Sequence, residues 1–458
     1  MLTRKLDIFL FVFAICLIAL LIPYVPYLML ILIIALFLVL YKTKFILLFV
    51  IVVFIAFTSF AFNEARAVVN ILAVSSLLYL FLKKFGLQIS EYPKIPPKMI
   101  YFFIFLFVTF IISTLGSASV AVSSFTVLRT AIFFVICYLF FSLIENKETI
   151  YIYIFGIIAA EILIGSSVLF DFIKAGFGFH LNNGVLARYA GIYDNPNVVG
   201  LTACMATSFI LVLFFIERFS SRKYKLIFSF LLLLNALVFI ITDSRAATIA
   251  LIISSSFILY ILNRKLLKRL TVSVLIVIII LFLIPIVQEA FLILLRLSDA
   301  NSRNDIWMSG LQVFKHHMIF GIGPGMYPNF AFTNFSSHGM LMLKLKGELF
   351  HGRPSPHNFF LLMACENGIL GLVFAISIFS LFFYYAYKCL KGYKNLDKEI
   401  YILTVAIFGI GLGAFERAFF EVSGIMAYGY LTQDLPFWLA FFISIFNYQK
   451  LKKRNILN

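Results

Sequence analysis

Apolar runs of membrane-spanning length follow one another along this chain, separated by short polar breaks. The runs lie near residues 8–22, 26–41, 45–61, 67–82, 99–116, 126–144, 149–170, 196–216, 226–242, 246–263, 270–287, 357–386, 400–416 and 432–447. An upright helix needs about 20 residues to cross a bilayer, so the pattern predicts about 12–14 transmembrane helices. The first two runs, and the runs at 226–242 and 246–263, are separated by only a few residues, and each pair could fold as one element or two. One stretch breaks the rhythm. From Gln288 to His357 the chain turns polar, with Arg303, Asp305, His316, His317, a Gly-Ile-Gly-Pro-Gly turn at 321–325, His338, His351, Arg353 and Pro354-Ser-Pro-His-Asn358. The expectation is an all-α, polytopic helical bundle with one large loop at 288–356. It divides into variable N-terminal helices (1–185), a core carrying the loop (186–386) and C-terminal helices (387–458).

Composition excludes a soluble domain. Charged residues make up 12% of the chain and hydrophobic ones 63%, with a mean hydropathy of +1.06, whereas about a quarter of a soluble domain is charged. The net charge of +17 comes in short clusters between apolar runs and not on one face, so it argues for topology and against a nucleic-acid partner. With the N-terminus inside, most lysines and arginines fall in inner loops, and both termini are expected to be cytoplasmic. The run from Asp7 to Leu21 has the basic flank of a signal peptide but no small-residue cleavage site, and reads as a retained first helix. The five cysteines form no CxxC pair and read as small core residues.

The same topology puts Arg66, Arg188, Arg245, Arg303, Arg353, Arg417 and all six histidines on the external side, against the positive-inside bias. Snorkelling at helix ends, and the escape of long loops from that bias, account for Arg66 and, beyond this set, for Arg296 and Lys174. An anionic ligand gathered on the outer face accounts for the set. Thr242-Asp-Ser-Arg245 is a turn so tight that Arg245 must lie at the membrane surface, where a guanidinium calls for a phosphate, a carboxylate or lipid headgroups. Arg188 opens a polar turn that ends in Asn195-Pro-Asn197, with either asparagine a plausible helix cap. Arg303 and Trp307 are spaced i, i+4 on a predicted helix from Ser302 to about His317. That helix either presents Arg303 to a ligand or packs on the bundle through Ile306, Trp307, Leu311 and Phe314. His357 lies at the mouth of the next span, as a cap, a packing residue or a proton acceptor. No Walker loop, Rossmann fingerprint or metal-ligand spacing is present, and His316-His317 lack one.

Arg188 with Asn195-Pro-Asn197, Ser244-Arg245-Ala-Ala, Ser302-Arg303 with Trp307 and Gly321-Ile-Gly-Pro-Gly325, and Pro356-His-Asn358 with Glu366-Asn-Gly-Ile-Leu-Gly371 together resemble the O-antigen ligase and O-antigen polymerase superfamily of bacterial inner-membrane glycan transferases. The resemblance covers roughly residues 185–375. It implies a glycosyltransferase without metal or other cofactor, taking a glycan from undecaprenyl diphosphate on the periplasmic face. The acceptor would be a sugar hydroxyl on the lipid A core in a ligase, or a second lipid-linked repeat unit in a polymerase, with a chain-length regulator or assembly partner in attendance. Arg245 and Arg303 would meet the leaving diphosphate and His357 would serve the acceptor hydroxyl. Arg188, Asn358, Arg353 and Arg417 would help bind substrate. Fourteen spans lean toward polymerase, while the His-Asn segment and large loop resemble the ligase domain and make ligase the leading reading. A protein O-oligosaccharyltransferase is a further member of the superfamily. A flippase or transporter of lipid-linked sugars would instead need its charges buried at mid-membrane.

Overall fold

Along helix after helix, apolar residues three and four apart face outward. The computed structural model describes residues 48, 51–52, 63–177, 181–182, 185–193, 195–283, 298–334, 355–426, 428 and 430–457. Expected spans 8–22 and 26–41, nearly all of 45–61, and the segment holding His338, His351 and Arg353 lie outside these residues. Thirteen α-helices stand among the described residues. They are α1 (Asn63–Phe85), α2 (Pro97–Leu115), α3 (Val120–Ser142), α4 (Lys147–Lys174), α5 (Pro196–Leu213), α6 (Arg222–Thr242), α7 (Arg245–Leu262), α8 (Arg264–Phe282), α9 (Ser298–His316), α10 (Tyr327–Asn334), α11 (Phe359–Tyr393), α12 (Lys398–Arg417) and α13 (Leu431–Leu457). A two-residue antiparallel pair, β1 (Leu181–Asn182) with β2 (Val185–Leu186), is the only strand pairing among them.

On α2 the exposed apolar residues are Ile100, Tyr101, Ile104, Val108, Ile111 and Leu115, and on α6 they are Leu226, Phe230, Leu233, Leu237 and Ile240. An outward apolar stripe at helical spacing inverts the pattern of a soluble bundle, and its natural solvent is lipid. Eight of the described helices, α2 to α7, α11 and α12, are long and apolar enough to cross a membrane. The molecule is an all-α, polytopic membrane bundle. The close pair at 226–242 and 246–263 forms two helices, because Asp243 takes a left-handed conformation (φ 44°) and Ser244 starts α7.

Lipid tails are as apolar as leucine, so helices in a bilayer associate through close packing and not through hydrophobic exclusion. The contacts of α7 with α12 and with α5 show this. A Cβ on Gly413 would lie 2.8 Å from the Ala250 carbonyl oxygen, and one on Gly200 of α5 would lie 2.6 Å from the Ala247 Cβ. Ser208 of α5 and Ser254 of α7 share a hydrogen bond of 2.7 Å between those two helices. The crossing brings the start of α7, the start of α5 and the end of α12 together at one end of the bundle. At the opposite end, Lys147 pairs with Asp397 at 2.8 Å and Glu399 at 3.3 Å, and Lys398 with Glu217 at 3.0 Å.

Candidate functional site

The end of the bundle that holds His357 is organised by the backbone before it is organised by charge. Asn358 caps α11, accepting a hydrogen bond from the Leu361 amide at 2.9 Å, and the Phe359 amide donates to the Ala418 carbonyl at 2.8 Å. His357, one residue outside the cap, sits at φ 46°. A side chain in the left-handed region is held there by its surroundings, and such outliers concentrate at functional sites.

The partner that His357 meets is Glu421. Nδ1 of His357 lies 3.3 Å from Glu421 Oε2, with the imidazole 37% exposed and the carboxylate 4% exposed. The other carboxylate oxygen accepts from Asn197 Nδ2 at 2.6 Å. Asn197 in turn accepts at Oδ1 from Arg188 Nη2 at 2.7 Å and from the Ser244 hydroxyl at 3.1 Å. Arg188 also donates through Nε to the Thr242 carbonyl at 2.9 Å. One hydrogen-bonded path therefore runs from Arg188 through Asn197 and Glu421 to His357, and Ser244 joins it next to Arg245. With Glu421 accepting Nδ1–H, the imidazole keeps the tautomer whose Nε2 lone pair is open, and Nε2 bonds to no group among the described residues.

Four of the residues singled out in the sequence meet here. His357, Arg188 and Arg417 are linked through Asn197, Ser423 and Glu421, while Arg245 stands half-buried in the first turn of α7 beside Ser244. Arg417 is 2% exposed and gives its terminal nitrogens to the Asn197 carbonyl at 3.0 Å, the Ser423 hydroxyl at 3.1 Å and the Ser423 carbonyl. That is a brace for the 417–424 turn. Asn358 is a helix cap. Of the two cap candidates in α5, Asn195 fills the role, accepting from the Asn197 amide at 2.9 Å, which leaves the Asn197 side chain to the network. The backbone of Arg303 lies in α9, and Arg353 is outside the described residues. α9 packs on α11 with Gly310 against Leu361 and Cys365, Trp307 meets Phe420 beyond α12, and Val313 and Phe314 join the core, whereas Leu311 is 42% exposed and turns away. No group of three metal-ligating side chains stands together among the described residues.

Glu421 had no mark in the sequence beyond being a carboxylate on the outer side of a basic chain. A second carboxylate, Glu366, holds the Gly321–Gly325 turn. Its oxygens accept from the Gly325 and Tyr327 amides, both at 2.8 Å, and from the Tyr428 hydroxyl. The Gly323 amide and the Ser113 hydroxyl bond its main-chain carbonyl at 2.9 and 2.6 Å. Gly368 (φ 64°) breaks α11 so that this can happen, and a Cβ on Gly321 would meet Glu366 backbone at 2.3 Å. Burial pushes the phenol of Tyr428 well above its ordinary range, with the neighbouring Glu366 charge adding to it, so it stays a donor.

Residues 228–376, from α6 to the middle of α11, match the family model for O-Antigen ligase. The matched segment, about a third of the chain, is similar to the O-antigen ligase family. The matched segment contains Arg245, Arg303, His357 and Glu366. Arg188, Asn197, Arg417 and Glu421 join His357 and Arg245 from outside it. No curated protein matches the chain. The family's enzymes are of the ligase or polymerase type, acting on lipid-linked glycans.

Proposed function

We propose that the protein is a metal-independent, integral-membrane glycosyltransferase that moves a glycan from undecaprenyl diphosphate to a sugar hydroxyl, with O-antigen ligation onto the lipid A core as the leading reading. The observation that carries it is the His357–Glu421 pair at 3.3 Å within a patch that also gathers Arg188 and Arg245. In this mechanism His357 Nε2 takes the proton of the acceptor hydroxyl as the oxygen attacks the anomeric carbon. Glu421 orients the ring and stabilises the imidazolium that forms. The glycosidic bond to phosphate breaks, and the diphosphate leaves with the bond's electron pair. Arg245, with Arg303 from α9, meets that charge, because guanidinium forks match phosphate oxygens two at a time. Arg188 acts one step back, holding Asn197 against Glu421, and Arg353 adds a cation from the loop. The site faces the periplasm of a bacterial inner membrane, with both termini cytoplasmic. Membrane lipids surround it, and a chain-length regulator or other assembly partner is a further contact of such an enzyme.

The test is glycan transfer in proteoliposomes with purified lipid-linked donor. Asparagine suits both the positive φ at 357 and a helix start but takes up no proton. His357→Asn is expected to insert normally, bind donor, and transfer at least about 100-fold more slowly. His316→Asn, on the exposed end of α9, should transfer at the wild-type rate. Equal rates for the two variants would remove His357 from the mechanism.

A further inference from the structure

Across the 418–430 segment from His357 lies a second cation that the mechanism above does not use. Arg129 is half-buried on α3, nine residues beyond Val120 and so about 14 Å along the helix from its first residue. Its Nε donates to the Tyr428 carbonyl, and its guanidinium lies over the Tyr430 ring, 4.5 Å from the centroid. Its two terminal nitrogens bond to no group among the described residues. The nearby carboxylate, Glu366, is already filled by Gly325, Tyr327 and Tyr428. Tyr428 is held at φ 52°, an outlier for a bulky side chain, in the conformation that offers its carbonyl to Arg129. A guanidinium inside a membrane span is costly unless it meets an anion, and here only one edge of the fork is occupied. Phosphate is the anion that a half-occupied fork stacked on an aromatic ring fits best.

We propose that Arg129 and Tyr430 form a second lipid-phosphate site, which holds the acceptor lipid while the Arg188–Arg245 side holds the donor. The inference rests on the transferase reading. Seven residues separate Glu421 from Tyr428, so the two sites lie within about 25 Å of one another. That separation lets two lipid-anchored substrates flank one reacting centre. The phosphate has two chemical sources that suit an acceptor. A diphosphate on a second polyprenyl-linked glycan would make the enzyme a polymerase, and a phosphate on a lipid A core would make it a ligase.

The full chain, purified in a phosphate-free maltoside, is titrated with undecaprenyl diphosphate, lipid A and phosphatidylglycerol, and bound lipids are counted by native mass spectrometry. Wild type is expected to bind two phosphate lipids. Arg129→Gln should weaken one of them by roughly tenfold or more and raise the acceptor KM with the donor KM unchanged. Arg245→Gln should weaken the other. Arg129→Lys, which keeps the charge and a donor for Tyr428, should recover part of the loss. Whichever of undecaprenyl diphosphate and lipid A depends on Arg129 identifies the acceptor class. Phosphatidylglycerol binding as tightly as both would mark a bulk-lipid contact and overturn the proposal. So would an Arg129→Gln variant that binds both lipids normally, or one that loses both alike with a lowered melting temperature, as a purely structural arginine would. A wild type that binds no undecaprenyl diphosphate at all would instead sink the transferase reading.

Discussion

His357 and Glu421 act as a unit or not at all, and that is measurable. In Glu421→Gln the amide still accepts Nδ1–H through its oxygen, but its amide nitrogen then faces the Asn197 amide nitrogen, so one of the two bonds is lost. Turnover is expected to fall by about 10- to 100-fold with the donor KM little changed, since the carboxylate works through the imidazole. The double variant with His357→Asn should be no slower than His357→Asn alone, because coupled residues are not additive. Independent, multiplying effects would separate the two residues. Arg303 poses a different question. If it grips two phosphate oxygens, Arg303→Lys should fail nearly as badly as Arg303→Ala in the same transfer assay, because an ammonium is a point charge and not a fork. Near-normal transfer by the lysine variant would return Arg303 to a solvated helix face.

Among elements, the Gly321–Gly325 turn and the first part of α11 form one clasp, and its stability should reflect that. Gly321→Ala puts a Cβ at φ 70° and 2.3 Å from Glu366 backbone. Gly86→Ala at the end of α1 has a similar φ of 59° and open space around it. Positive φ alone costs about 1–2 kcal/mol, so Gly86→Ala should lower the melting temperature slightly and Gly321→Ala much more, or prevent folding. Equal shifts would mean that the turn is not clamped. The contrast also explains what was legible in advance. Span positions followed from hydropathy, as at 196–216 for α5 and 246–263 for α7, because backbone in lipid has few alternatives to helix. His357 and Arg245 stood out because polar groups beside apolar helix require a reason. Glu421 and the bracing of Arg417 did not stand out, since each depends on a partner more than 200 residues away, Asn197, and no local spacing encodes that contact. The same limit hid the Glu366 clasp, although its glycines were plain.

At the scale of the whole molecule, the fold is a bundle with two polar ends of different character. One end carries Lys147, Asp397, Glu399, Lys398 and Glu217 in exposed or half-exposed ion pairs, each worth little on its own. The other end gathers Arg188, Arg417, Glu421 and His357 in a largely buried network. A charge surplus of +17 weighted toward the first end predicts that this end is cytoplasmic, since positive loops are retained on that side. Cysteine scanning decides it. Asn329→Cys on α10 and Asn395→Cys in the turn between α11 and α12 both replace exposed residues at opposite ends. Native Cys137, Cys204, Cys365 and Cys389 are buried and free, so labelling of the unmodified chain gives the background. In intact cells with a permeable outer membrane, an impermeant maleimide should modify the cysteine at 329 and spare the one at 395, while both should react after the membrane is lysed. The reverse pattern would put the His357 end in the cytoplasm. Donor glycans presented on the periplasmic leaflet would then lie on the wrong side of the bilayer from His357, and the transferase mechanism built on that residue would fall with the topology.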